Sequence, residues 1–339
     1  MVQVQECARL FEVFMDWTAL DFAPGEFARA RGRAPTQTGK MTWKKLTALI
    51  KAGYGQGHFQ RYKPWQRVTK RDYSPISNIG HLHNAALGRA HHYRARAERG
   101  TIQVLRWLGA ADIREAFPVW PWPHWHPGYG LPGFENSPEL PGLLTIADGA
   151  DISHGFYPGS SIPYVATLDI LATYQSQSGA YSLVAFENKP EEIAKAPDPL
   201  LRAKERLEMT RRYCGLAKIQ RRLIHAEQLP RELIVNIDLL EPQLSNFQLA
   251  TLLASRIYQD VLEVLQTKGY SESLTDLTAD LQSRFGYPQP SLQAAMHLAI
   301  WRQDIDHDLT LPFQPWHPLI PGGRAAKHQL QTLWLEVPS

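Results

Sequence analysis

Only two cysteines occur in 339 residues, Cys7 and Cys214, far apart in sequence and without any metal-ligand spacing. Their scarcity excludes a disulfide framework and a cysteine-built zinc site. A reducing cytoplasm is the expected setting, with both thiols read as small buried hydrophobes. Also missing is any run of about 18 apolar residues, so no membrane span is expected. Residues 4–21, with Glu6, Glu12 and Asp16 among apolar neighbours, read as an amphipathic helix; they lack the basic start and apolar core of a signal peptide. There is no internal repeat and no long low-complexity tract.

The most telling absence is of one sign of charge. Between residues 27 and 71 stand twelve basic residues and no acid: Arg29, Arg31, Arg33, Lys40, Lys44, Lys45, Lys51, Arg61, Lys63, Arg67, Lys70 and Arg71. From residue 227 onward, thirteen acids face seven bases. A net charge of +3 hides this asymmetry. The front of the chain suits a polyanion and the back does not. A basic run is often only a solvated face. Here Tyr54, His58, Phe59, Tyr62 and Trp65 are interleaved with it, able to stack on bases while cations pair with phosphates. Lys44, Lys45, Lys51, Arg61, Lys63, Arg67, Lys70 and Arg71 are therefore candidate DNA contacts.

What is present is ordinary globular material, 44% hydrophobic and 20% charged, with length for two or three cores. Residues 164–173 and 181–187 read as strands rich in β-branched and apolar residues. Between them Gln175 to Gly179 form a polar turn signal. A hairpin centred near Ser178 sets Asp169 opposite Glu187. Directly opposed residues have Cβ atoms about 4.5–5.5 Å apart, and like charges there repel. A bound cation removes that penalty. Lys189, two residues beyond Glu187, shares its face of the pleat. Two carboxylates and an ammonium around one point are what a magnesium-dependent nuclease requires.

Helices are expected at 42–52, 92–108 and 199–216, and strands at 112–119 and 222–225. Residues 54–90 read as loops and short strands, and 120–133, crowded with Pro, Trp, His and Gly, as a loop. The alternation predicts an α/β mixed sheet flanked by helices. A boundary falls near residue 228, giving segments 1–45, 46–228 and 229–339. Beyond it, a helix at 247–268 and two more marked by Leu274 to Phe285 and Leu292 to Ala299 precede an alternating strand at 304–311. Three helices and a short hairpin describe a winged-helix-like module; its acidity favours protein docking over DNA.

Gly55, Gly57 and His58 running to Pro64 and Trp65, then His91 and His92, Glu98, the sequence Asp112-Ile113-Arg114-Glu115 leading to Phe117 and Pro118, and finally Asp169 and Glu187-Asn188-Lys189-Pro190 follow one another in the chain. This ordered set resembles the TnsA endonuclease subunits of heteromeric transposases over residues 50–310. The resemblance implies a restriction-endonuclease-like fold, of the PD-(D/E)xK kind, joined to a C-terminal domain that docks onto a TnsC-like AAA+ ATPase. It implies cutting of the 5′ strands at transposon ends, beside a TnsB-like transposase. By that likeness Glu98, Asp169 and Lys189 are catalytic, with Glu187 a further metal ligand. Glu98 otherwise reads as an ion-pair partner of Arg94. The first forty residues and the loop 120–133 inherit no role.

Oxygen ligands from Glu98, Asp169 and Glu187 suit Mg²⁺, or Mn²⁺, rather than zinc. Lys189 then acts as a compact charge near the attacked phosphate. Glu205 and Glu208 are expected to form a salt-bridged face with Arg202, Arg211 and Arg212. His124 and His126 lack a third ligand and make a poor zinc site, and the group His81, His83, His91, His92 suits phosphate or backbone contacts. A catalytically inactive assembly subunit and a stand-alone restriction-type nuclease remain alternatives.

Overall fold

The computed structural model describes residues 41–69, 72, 78–176, 178–190, 202–225, 227, 229–241 and 244–335. The helix expected at 4–21, the arginines before residue 40, Cys7, Lys70 and Arg71 lie outside them.

A short basic helix α1 (Trp43–Lys51) opens the described chain. Thr42 caps it, its hydroxyl accepting from the Lys45 N–H at 3.2 Å. A two-stranded hairpin follows, β1 (Gly80–Asn84) and β2 (Arg89–Tyr93), and then helix α2 (Arg96–Trp107). The helix expected from residue 92 starts four residues later because His92 and Tyr93 pair with His81 and Gly80 across the hairpin.

The main sheet takes β3 (Asp112–Val119), β4 (Ala166–Gln175), β5 (Tyr181–Lys189) and β6 (Gln220–His225) in that order. The first three are antiparallel neighbours, and β6 runs parallel to β5. It is a mixed sheet flanked by helices. The short α3 (Leu143–Asp148) precedes β4, and α4 (Arg202–Leu216) links β5 to β6, as a parallel pair requires. On one face Ile170, Ala172, Val184, Phe186 and Ile224 pack toward α2 and the C-terminal helices. On the other, Leu171, Leu183, Ala185 and Ile219 pack with Met209, Tyr213 and Cys214 of α4.

One position breaks the alternation. Leu168 belongs to the α4 face and Ile170 to the α2 face, although they are two residues apart. Opposite the intervening Asp169, between the pairs Glu115↔Ile170 and Phe117↔Leu168, stands Ala116 with a left-handed φ of 46°. The strand pair turns there, an irregularity that re-aims a side chain.

Beyond β6 the chain is helical: α5 (Arg231–Leu240), α6 (Asn246–Leu253), α7 (Arg256–Lys268), α8 (Leu274–Phe285), α9 (Gln289–Arg302) and α10 (Gly323–Leu335). The helix expected over 247–268 is two. Ser255 ends one by donating to Leu252 O and caps the next by accepting from Tyr258 N–H. The strand expected at 304–311 does not form. Asp308 accepts from the Thr310 N–H and Asp306 from the N–H groups of Gly322 and Arg324, so these acids hold turns and the start of α10 instead. Among the described residues no hairpin follows α9. Helix α10 instead returns to the sheet: Trp334 packs on Phe186 with centroids 5.5 Å apart, and Gln331 donates to Leu108 O. One apolar cluster runs from the α2 face of the sheet through these helices. No described helix is long and apolar enough to cross a membrane.

Candidate active site

Asp169 occupies the irregular point of β4, and the hairpin register brings the end of β5 beside it. The pairs Ile170↔Phe186 through Gln175↔Tyr181 are symmetric about residue 178, as expected from the turn signal. Asp169 Oδ2 accepts from the Asn188 N–H at 2.7 Å and from Lys189 Nζ at 2.8 Å. Lys189 Nζ also reaches Asn188 O at 3.2 Å.

Glu98 enters from the first turn of α2, where the helix dipole favours an acid. Its Oε2 accepts from the Arg94 N–H at 2.6 Å, so the expected partner is met through its backbone. The Arg94 guanidinium turns to Arg67 O. Burial and the neighbouring Asp169 push the Glu98 carboxyl up to about 7, against smaller opposing pulls that include Lys189. Burial alone would lower the Lys189 ammonium, but Asp169, Glu187 and Glu98 carry it above its ordinary value. Glu98, Asp169 and Lys189 therefore share one electrostatic environment.

Glu187 lies beside them with its oxygens already engaged. Oε1 accepts from Thr210 on α4 at 3.0 Å, and Oε2 is paired with Arg221 of β6. Burial raises its carboxyl, while Arg221 and Lys189 pull it down. Sequence reasoning missed Arg221, whose only signal was its place two residues before Leu223, the β6 partner of Glu187. Next to it, Asn188 accepts from Thr101 of α2 at 2.7 Å, tying the end of β5 to the helix that carries Glu98.

The donor set can be tested against a divalent ion. Among the described residues no hydrogen bond reaches Glu98 Oε1 or Asp169 Oδ1, so each carboxylate keeps an oxygen for a ligand. Hard oxygen donors around a repelled acid pair fit Mg²⁺ or Mn²⁺. Among the described residues no three His, Cys, Asp or Glu side chains are grouped to hold a metal, and both Glu187 oxygens are engaged by Thr210 and Arg221.

Lys44, Lys45 and Lys51 are exposed on α1, and Arg61, Lys63 and Arg67 are exposed after it. Lys63 Nζ donates to Ala52 O, and the Arg67 guanidinium covers the Tyr54 ring at 4.5 Å. The interleaved aromatics were expected to stack on bases, but Tyr62 and Trp65 are buried core residues. In the histidine group the expected backbone contacts form: His81 Nε2 faces Val68 O at 3.2 Å, while His83 is exposed. His91 is buried between Asn84 Nδ2 and Glu115 Oε2, and His92 Nδ1 accepts from the Val68 N–H. Arg89 binds both oxygens of Glu115 at 3.0 Å. Burial alone would raise the Glu115 carboxyl; His91 and Arg89 bring it down to about 2. His124 and His126 anchor their loop to Tyr213 and Ala217 on and just after α4. The salt-bridged face of α4 forms as expected: Arg202 meets Glu205, and Arg211 and Arg212 both meet Glu208.

Over 171 residues the chain is 29% identical to the Transposon Tn7 transposition protein TnsA of Escherichia coli. This chain is similar to TnsA over half its length. The match covers 50% of this chain and spans about half, 52%, of that relative. No protein-family model matches.

Proposed function

We propose that this chain is a metal-dependent DNA endonuclease of the TnsA kind, with a PD-(D/E)xK-like catalytic sheet. In this proposal it cuts the 5′ strands at the ends of a transposon, beside a TnsB-like transposase and a TnsC-like AAA+ ATPase. The observation that carries it is the convergence of Glu98, Asp169 and Lys189 from three elements on one point where acids repel. The partial likeness to TnsA and the exposed lysines of α1 support the choice of DNA as substrate.

The chain's own groups divide the work. Asp169 and Glu98 would hold Mg²⁺ or Mn²⁺. When bound, that ion supplies charge neutralisation at the phosphate and a more acidic water. Asp169 is oriented by the Asn188 N–H. Lys189, kept charged by its acidic neighbours, stabilises negative charge growing on the attacked phosphate. Glu187 and Arg221 hold the β5 end that carries Lys189. In the same proposal residues 229–339 form the partner-docking part, and their exposed Phe247 and Trp316 suit that use.

The test is strand cleavage of a labelled transposon end by the chain with its transposase and ATPase partners and Mg²⁺. Wild type should cut, and Asp169→Ala and Lys189→Ala should each lose at least about a hundredfold in rate. Unchanged cutting in both variants would overturn the assignment, and no cutting by folded wild type would favour a non-catalytic assembly subunit.

A further inference from the structure

The Trp-rich segment 120–133 takes no part in the proposed cleavage site, yet it walls a cleft of about 440 Å³. The lining includes His58, Arg114, Trp120, Trp122, Trp125 and Tyr129. Clefts of this size and aromatic content commonly hold ligands. Two of its polar groups have unmet hydrogen bonds. Arg114 is only 2% exposed; its Nη1 donates to Pro127 O at 2.9 Å, but among the described residues Nε and Nη2 have no hydrogen-bond partner. Among the same residues the buried His58 Nδ1 has no partner either, whereas its Nε2 faces Tyr129 O at 2.9 Å. A ring nitrogen facing a carbonyl carries the proton, which leaves Nδ1 an acceptor.

The charges around Arg114 nearly balance. Asp112 lies 3.9 Å from Arg114 and 3.7 Å from Arg89, and Glu115 lies 3.0 Å from Arg89. Two cations thus stand with two carboxylates. What the cleft lacks is hydrogen-bond partners, not negative charge, so a neutral planar edge offering lone pairs and N–H groups suits it better than a phosphate. Its walls provide ring faces: Trp125, 60% exposed, stacks on Tyr129 at 4.9 Å. The basic helix α1 leans on the same wall through Trp43 and Trp122, 5.8 Å apart, which takes a polyanion lying along α1 past the cleft.

We propose that this cleft receives an unpaired purine of the DNA, stacked on its tryptophans and read by the Arg114 fork and His58 Nδ1. A purine edge carries the matching set, N7 as acceptor and, in adenine, an amino donor beside it. The proposal rests on DNA being the substrate, and it gives the Trp-rich segment a role in holding an unstacked base out of the duplex.

The experiment uses the full chain in EDTA, so that binding is read without cleavage. Fluorescence of 2-aminopurine is followed at one position of an oligonucleotide, either unpaired or within a full duplex, with dAMP and dGMP as free-nucleotide arms. Wild type should bind the unpaired form roughly tenfold more tightly and change its fluorescence. Trp125→Ala, at an exposed position, and His58→Phe should lose that preference while keeping duplex binding. Equal affinity for paired and unpaired DNA, or a preference untouched in both variants, overturns the base cleft alone. Tight binding of dAMP or dGMP by themselves overturns DNA as the source of the base. Failure of the chain to bind any of these DNAs overturns this inference, whereas the endonuclease proposal stands or falls on cleavage with its partners and Mg²⁺.

Discussion

Lys189 Nζ lies 2.8 Å from Asp169 Oδ2, two residues joined across a hairpin. The ammonium is held above its ordinary pKa by three acids although burial opposes this. The contact gives the site a fixed cation that survives at any physiological pH. It also leaves Glu98, the acid farther from that cation's hydrogen bond, as the group whose proton responds to pH.

The first prediction follows from Glu98. Its carboxyl is raised to about 7 from the 4.5 of an unperturbed glutamate, so between those values the folded chain holds a proton that the unfolded chain has lost. Stability therefore falls as pH rises through this window and levels off above it. Glu98→Gln removes the effect. Thermal melts without metal should show the variant more stable than wild type at pH 8 and equal to it at pH 4.5. A constant difference at both pH values would deny the shift.

The Glu187 and Arg221 pair makes the second. Both are largely buried, with Glu187 about 5% exposed at its side chain and Arg221 14%. Removing one partner strands the other charge, at a cost of about 3–5 kcal/mol. Arg221→Met should lower the urea midpoint strongly, whereas Arg221→Met combined with Glu187→Leu should recover much of the loss. Additive losses in the double variant would mean that the pair is not coupled.

A third concerns α10. Trp334 is 2% exposed and packs on Phe186, the residue before Glu187. Trp334→Ala should cost about 3–5 kcal/mol. Because one apolar cluster joins the sheet to these helices, unfolding should remain a single transition by far-UV and near-UV signals. Two separated transitions in wild type would show that the helices fold independently of the sheet.

The fourth tests α1. Lys44, Lys45 and Lys51 expose their side chains on one short helix. If each meets a phosphate, replacing all three by Ala should flatten the dependence of log K on log salt by about 3 and weaken binding of all sequences alike. An unchanged slope would place the DNA elsewhere.

Much of this site was legible because it depends on local rules. The strand at 112–119 and the hairpin symmetry about Ser178 follow from local pattern and a polar turn, and together with the irregularity at Ala116 they bring Asp169 beside Lys189. Glu98 was reached only through family resemblance, since nothing local says which acid of α2 will meet β4. The left-handed Ala116 opposite Asp169 and the Arg221 partner of Glu187 depend on tertiary pairing that periodicity does not encode. Tyr62 and Trp65 were misplaced for the same reason: basic neighbours suggested a DNA surface, but burial claimed the rings. In the strand expected at 304–311, alternation lost to Asp306 and Asp308, whose carboxylates bond nearby backbone N–H groups.

The most direct test of the acid pair as a cation site is Mn²⁺ binding to the full chain at pH 8, measured by calorimetry in wild type, Glu98→Gln and Asp169→Asn. The account predicts binding in wild type that is lost in both variants and weakens as pH falls below about 7, where Glu98 takes up its proton. Mn²⁺ binding that is absent in folded wild type, or equal in all three proteins, would contradict it.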